Sequence, residues 1–366
     1  MPRVLCLNGP NLDMLGRREP GVYGSLSLAE LDDRVRRWGA DLGLDVVCHQ
    51  TNDEADLIEA IHEAGDYDGI LLNPGAFTHT SFALRDAAAA VDTPVVEVHL
   101  SNVRQRDRWR RRSVLTGIAA ATIFGRGAEG YRAALRHLVN RAACPLETHR
   151  YGPHPDQVFD HRPAPGRPGA VLIHGGFWLD AWGRDTTESW AVDLHGRNVP
   201  TANLEYRRLG SGGGAVPTVA DIAEGVAAAS SVLSDAAPVL IGHSAGAHLA
   251  LVAASRPDAR VGGLVLVAGV YDPDAPGLDE TGAAAGRQFD PAGTTRLDRL
   301  SLPDCPVLVI CGADDRVVPP SQSEAAAAAL GSTSELVVCP GEGHFDALDP
   351  TSTIWRRAVE WVEHLG

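Results

Sequence analysis

Short apolar runs alternate with helical patterns along this chain, and the alternation breaks only once. Runs at residues 4–7, 46–47, 69–72 and 94–98 have the length and composition of buried parallel strands. Helical patterns lie between and after them, at 27–42, 53–64, 81–90 and 128–139, and Ser27 with Glu30 forms a capping box at the first. Such a rhythm predicts a doubly wound α/β sheet. Residues 144–169 carry several Pro and Gly and little periodicity, which puts a boundary near 144–148 and edge structure of a second domain at 151–161. The rhythm then restarts, with strands expected at 170–173, 239–241, 264–267, 307–310 and 335–338. No repeat relates the halves. The Gly-rich segment 210–214 reads as a loop or lid, and the Ala-rich runs 87–90 and 325–329 read as helix. The expectation is two domains, 1–144 and 145–366.

At 366 residues the chain is long enough for two separate cores. A net charge of -15 argues against nucleic acid or an anionic membrane as partner, since both call for a cationic surface. The local exception is the arginine run from Arg104 to Arg112, either a solvated face or a contact for an anionic substrate or a subunit. Six cysteines, with no C-x-x-C pair, fit reduced thiols in a cytoplasmic protein rather than disulfides or a zinc site. No signal peptide is visible, and no run reads as a membrane span. The chain contains no lysine, which excludes Schiff-base chemistry, pyridoxal phosphate attachment and a P-loop lysine. No metal or cofactor is expected, and the partners are small-molecule substrates.

The loop after the first strand offers Asn11, an arginine pair and Tyr23. In an open α/β sheet ligands bind beyond the carboxyl ends of strands, where this loop sits. A phenol is a poor base at neutral pH unless a guanidinium favours its phenolate. The segments Asn73-Pro-Gly-Ala-Phe-Thr-His79 and Glu97-Val-His-Leu-Ser101 leave the third and fourth strands and bring two more histidines to the same edge. A lone histidine is by default structural; this convergence marks a site.

These segments resemble the type II 3-dehydroquinate dehydratases, over residues 3–142. The resemblance implies a flavodoxin-like doubly wound parallel sheet and dehydration of 3-dehydroquinate to 3-dehydroshikimate through an enolate. It assigns Tyr23 as the base, Arg18 as the group holding it as phenolate, Asn11 as the holder of a water at the enolate, and His99 as the acid. It further implies that Asn73, His79 and Arg110 bind hydroxyls and that Leu100 and Ser101 offer amides to the carboxylate. The family forms dodecamers built from trimers, in which Asp86 reaches a neighbouring site. Pro74, Ala90 and Arg104 depart from the family's usual residues at positions that bear on affinity or assembly.

In the second half, Gly242-His-Ser-Ala-Gly246 follows an expected strand and precedes an Ala-rich helix, the context of a nucleophile elbow at Ser244. His174-Gly-Gly-Phe-Trp178 follows an earlier strand, as an oxyanion loop does; the amides of Gly176, Phe177 and Ala245 are the candidate donors. Downstream, Asp315 (or its neighbour Asp314) and His344 complete the chain order of this fold. His243 and His248 flank the elbow, where packing is the expected role. The half resembles α/β-hydrolases of the esterase and kynurenine-formamidase-like group over 150–365, which favours Asp315 by spacing and implies acyl transfer to water, with formamidase and carboxylesterase both open. The fusion makes an ester of a related cyclic acid, such as quinate or shikimate, a candidate substrate. The whole chain thus reads as α/β, a bifunctional homo-oligomer; the alternative is an inactive dehydratase-like scaffold displaying an active hydrolase.

Overall fold

The computed structural model describes residues 1–17, 26–101, 103, 112–165 and 168–365. The chain divides into two compact units, Met1–Ala143 and Cys144–Gly366, so the division falls one residue before the expected one.

The first unit holds strands β1 (Arg3–Asn8), β2 (Asp45–Gln50), β3 (Gly69–Asn73), β4 (Val95–His99) and β5 (Ala121–Phe124). They pair in parallel in the order β2-β1-β3-β4-β5, the flavodoxin-like arrangement. Its helices are α1 (Leu28–Asp41), α2 (Glu54–His62), α3 (Phe82–Ala90) and α4 (Glu129–Ala142). The Ser27–Glu30 capping box is present at α1, each side chain satisfying the other's backbone amide. Buried Val4, Cys6, Leu71, Val96 and Tyr131 fill one side of the sheet, and Leu5, Leu7, Ile70, Leu72 and Val95 the other. Strand alternation therefore feeds two cores at once, as a fully covered parallel sheet requires.

The second unit carries β6 (Glu147–Arg150), β7 (Val158–Arg162), β8 (Ala170–Ile173), β9 (Thr201–Leu204), β10 (Val239–His243), β11 (Gly263–Val267), β12 (Val307–Gly312) and β13 (Ser334–Cys339). The order is β13-β12-β11-β10-β8-β9-β7-β6, parallel except where β7 pairs with β9 and with β6. Its helices are α5 (Glu188–Gly196), α6 (Ala215–Leu233), α7 (Ala245–Ala254), α8 (Glu280–Phe289), α9 (Pro320–Leu330) and α10 (Thr353–Leu365). The α/β class expected for both halves is thus observed. The edge structure expected at 151–161 begins earlier, because β6 occupies the stretch assigned to the boundary. One correction concerns membranes: α6 is by length and composition apolar enough to cross one. In this unit it packs on β7 and β9, burying Ile222, Ala229 and Leu233 as a core helix.

Candidate active sites

In the first unit, β1, β3 and β4 end side by side, and a cavity of about 130 Å³ opens beyond them. Asn11, Asn73, His79, His99, Leu100 and Ser101 all line it. The register explains this: Asn8 pairs with Asn73, so the segments that follow leave the sheet at one level. Asn11 sits in the left-handed region at φ 67, tolerable for Asn, and its amide donates to Asn52 Oδ1 at 2.8 Å. Gly75 is at φ 59, and a Cβ there would lie 2.7 Å from the Pro10 carbonyl, so the two loops meet through glycine.

Further side chains hold the lining in place. Tyr131, fully buried on α4, donates to Asn8 Oδ1 (2.7 Å) and accepts from Asn73 Nδ2 (2.8 Å). His79 Nδ1 donates to the Arg112 carbonyl at 2.6 Å, which fixes its tautomer. His99 Nε2 donates to Glu97 Oε1 at 2.7 Å, and Ser113 Oγ lies 2.8 Å from both Glu97 oxygens. Glu97 and His99 are alternate residues of β4 and face the same way. Sequence reading quoted Glu97 without a role and passed over Tyr131, whose partners lie more than 50 residues away. Asp86 is exposed on α3 and does not line this cavity. Arg18, Tyr23 and Arg110 lie outside the described residues.

In the second unit, β10 runs into α7 through a sharp turn that sets Ser244 at φ 56 and ψ -120. The flanking glycines are required by space: a Cβ on Gly242 would come 2.3 Å from the Gly246 carbonyl, and one on Gly246 2.0 Å from that of Ile173. His344 Nδ1 donates to Asp315 Oδ2 at 2.7 Å, whereas Asp314 is exposed. The other Asp315 oxygen accepts from the amides of Val317 (2.9 Å) and Val318 (2.8 Å). Burial opposes ionisation of Asp315, but His344 and these amides outweigh it and hold the carboxyl below its usual range. Ser244, His344, Gly176 and Phe177 line one narrow cavity of about 10 Å³, near the lower limit for a single water.

The loop after β8 reaches the elbow closely. A Cβ on Gly175 would lie 2.8 Å from that of Ser244, and one on Gly176, at φ 111, would strike Trp182. The amides of Gly176, Phe177 and Ala245 donate no backbone hydrogen bond among the described residues, which leaves them for a ligand. Beneath this loop lies a polar network that sequence reading missed. His174 Nε2 donates to Glu205 Oε1 (2.9 Å), Tyr206 donates to the His174 carbonyl (2.6 Å), and Arg208 pairs with Glu205 (2.5 Å). Burial disfavours the Glu205 anion, yet Arg208, His174 and Arg184 together bring its pKa down to about 2. His243 is pushed down to about 3 by burial, with His344 adding to the effect; the neutral ring donates from Nε2 to the His344 carbonyl at 3.0 Å. His248 Nε2 donates to the Thr295 carbonyl at 2.9 Å, so both flanking histidines are packing groups. A separate cavity of about 560 Å³ is lined by Trp178, His248, Tyr271, Arg287 and Arg296. Trp178 Nε1, His248 Nδ1 and the Tyr271 hydroxyl are buried there without hydrogen-bond partners.

A family model described as dehydroquinase class II matches residues 2–139, and one described as serine hydrolase matches 180–359. The 3-dehydroquinate dehydratase of Bacillus licheniformis is 50% identical over 141 residues, 38% of this chain and 97% of its own length. That of Desulforudis audaxviator is 52% identical over 138 residues, 37% of this chain and 92% of its own. The second unit is similar in fold to esterase B of Lactobacillus rhamnosis, solved with a tributyrin phosphonate inhibitor, at TM-score 0.51 and 18% identity, covering 65% of this chain and 93% of that one.

Proposed function

Because this chain belongs to the class II dehydroquinase family through its first unit and has a serine-hydrolase fold in its second, we propose that it is a bifunctional enzyme. The first reaction is loss of water from 3-dehydroquinate; the second is hydrolysis of an ester or amide through an acyl-Ser244. What carries the reading is the gathering of Asn11, Asn73, His79, His99, Leu100 and Ser101 around one cavity.

In the first unit Tyr23, held as phenolate by Arg18, removes the proton next to the ketone. The resulting enolate is met by a water on Asn11. His99, oriented by Glu97, delivers to the departing hydroxyl the proton carried on its Nδ1 while Nε2 keeps the one it shares with Glu97, so the products are 3-dehydroshikimate and water. The amides of Leu100 and Ser101 receive the substrate carboxylate, and Asn73, His79 and Arg110 its hydroxyls. Asp86 serves a site on a second copy of the chain in a trimer-based homo-oligomer, consistent with its exposed place on α3.

In the second unit Ser244 attacks the carbonyl carbon and passes its proton to His344, whose ring Asp315 orients. The developing oxyanion is received by the amides of Gly176, Phe177 and Ala245, each worth roughly 2.7–4 kcal/mol in sites of this kind. The narrow cavity at Ser244 favours a short acyl group such as formyl or acetyl. Fusion to a dehydratase makes the rest of the substrate a quinate-like or shikimate-like acid that carries this short acyl group on one of its hydroxyls.

The test is a pair of assays on one preparation: conjugated-enone absorbance after addition of 3-dehydroquinate, and hydrolysis of p-nitrophenyl acetate. Wild type is expected to do both, Tyr23→Phe only the second, and Ser244→Ala only the first. Folded wild type giving no enone would reduce the first unit to a scaffold, and hydrolysis surviving Ser244→Ala would overturn the nucleophile.

A further inference from the structure

The antiparallel pair β6–β7 forms one edge of the second unit's sheet, with Glu147 opposite His161 and His149 opposite Phe159. Side chains alternate along strands, so these four residues share a face. Thr148 and Asp160 occupy the opposite face, bonded to each other at 2.7 Å. On the shared face a ligand atom from each of Glu147, His149 and His161 lies within 4.8 Å of the other two. The His149 ring stacks on Phe159 at 5.0 Å and stands 5.7 Å from that of His161.

The hydrogen bonding of this cluster is incomplete. The His161 side chain is 8% exposed, and neither of its nitrogens has a hydrogen-bond partner; His149 Nε2 also lacks one. Glu147 Oε2 stands 3.4 Å from His149 Nε2 and 3.8 Å from His161 Nδ1, within ion-pair distance but outside good hydrogen-bond geometry. Buried imidazole nitrogens left unpaired are costly, and native structures normally provide a partner. A cation placed among them would accept one lone pair from each imidazole and one from the carboxylate.

We propose that Glu147, His149 and His161 bind a divalent transition-metal ion, with zinc the best match to two imidazoles and one carboxylate. A tetrahedral zinc with bonds of about 2.0 Å sets its donors about 3.3 Å apart. Glu147 is exposed and His149 half-buried, so both can turn inward toward the fixed His161 ring. The ion would join β6 to β7 at a sheet edge, the place where strand pairing is least protected, and leaves a fourth position for water. None of the three residues lines the cavity at Ser244, so the role is to fasten the edge hairpin rather than to assist acyl transfer. The spacing escapes a motif search because the third donor arrives by strand register, not by sequence.

The experiment uses the full chain, stripped with a chelator and titrated with zinc alone by calorimetry, then with cobalt followed by visible absorbance. Wild type is expected to bind one equivalent, to melt at a higher temperature with zinc, and to give the intense visible bands of four-coordinate cobalt. Glu147→Gln and His149→Gln are each expected to weaken binding at least ten-fold while hydrolysis of p-nitrophenyl acetate persists, since both positions are at least partly exposed. Failure of wild type to bind an equivalent, or unchanged affinity in both variants, would overturn the site.

Discussion

Glu97 is wholly buried, and its carboxylate bonds to His99 and to Ser113. An acceptor-only group facing Nε2 forces the proton onto that nitrogen and so fixes which face of the imidazole meets the substrate. Glu97→Gln preserves volume but removes the carboxylate and can present an N–H to His99, so the ring loses both its orientation and the anion that supports a second proton on Nδ1. The expected result is a fall in dehydration kcat of about 10²–10⁴, the usual worth of a positioned acid, with KM changed far less. Steady-state kinetics on 3-dehydroquinate decide it; a loss in KM alone would make Glu97 a packing group. The lining residues themselves were legible in the sequence because chemistry-bearing side chains cluster where strands end. Glu97, Tyr131 and Glu205 were not assigned roles, because their work is done for partners that only the fold brings near: Ser113, Asn8 and Arg184.

Elements were readable where their local signals were strong. The capping box announced α1, and the pattern G-x-S-x-G announced the turn between β10 and α7. The strands β5 and β9 went unread because Thr122, Thr201 and Asn203 break up their apolar runs, whereas the equally short β8 is apolar throughout, and β6 went unread because its burial pattern is mostly exposed. The elbow shows how tightly an element can constrain one position. A methyl group on Gly246 would stand 2.0 Å from the Ile173 carbonyl, and backbone cannot yield as a side-chain end would. Gly246→Ala must therefore separate α7 from β8 and shift Ser244 relative to the amides of Gly176 and Phe177. Misplacement of that order commonly costs about a hundred-fold, so p-nitrophenyl acetate hydrolysis is expected to fall at least that far. Dehydration by the same preparation should be untouched; near-normal hydrolysis would mean the turn has slack that its close contacts deny.

On the scale of the molecule, each unit is provided with its own interior. The apolar clusters of the first draw on residues between Val4 and Leu138, and those of the second on residues between Phe159 and Val362. Every proposed catalytic residue likewise comes from one side of the division at 143/144. A unit with a complete core and a complete set of reacting groups has no thermodynamic need of the other. Fragments 1–143 and 144–366, expressed separately, are expected to fold, to melt as independent transitions and to keep dehydration and hydrolysis respectively, each kcat within about two-fold of the full chain. The exception that the first unit allows is concentration dependence: if Asp86 completes a site on another copy, dehydration by fragment 1–143 falls on dilution and Asp86→Ala falls with it, while hydrolysis by fragment 144–366 does not change. Size-exclusion chromatography beside the two assays reads all of this. A first fragment that is folded, oligomeric and silent would show instead that the fusion itself contributes to the dehydratase, and that the two reactions share more than a chain.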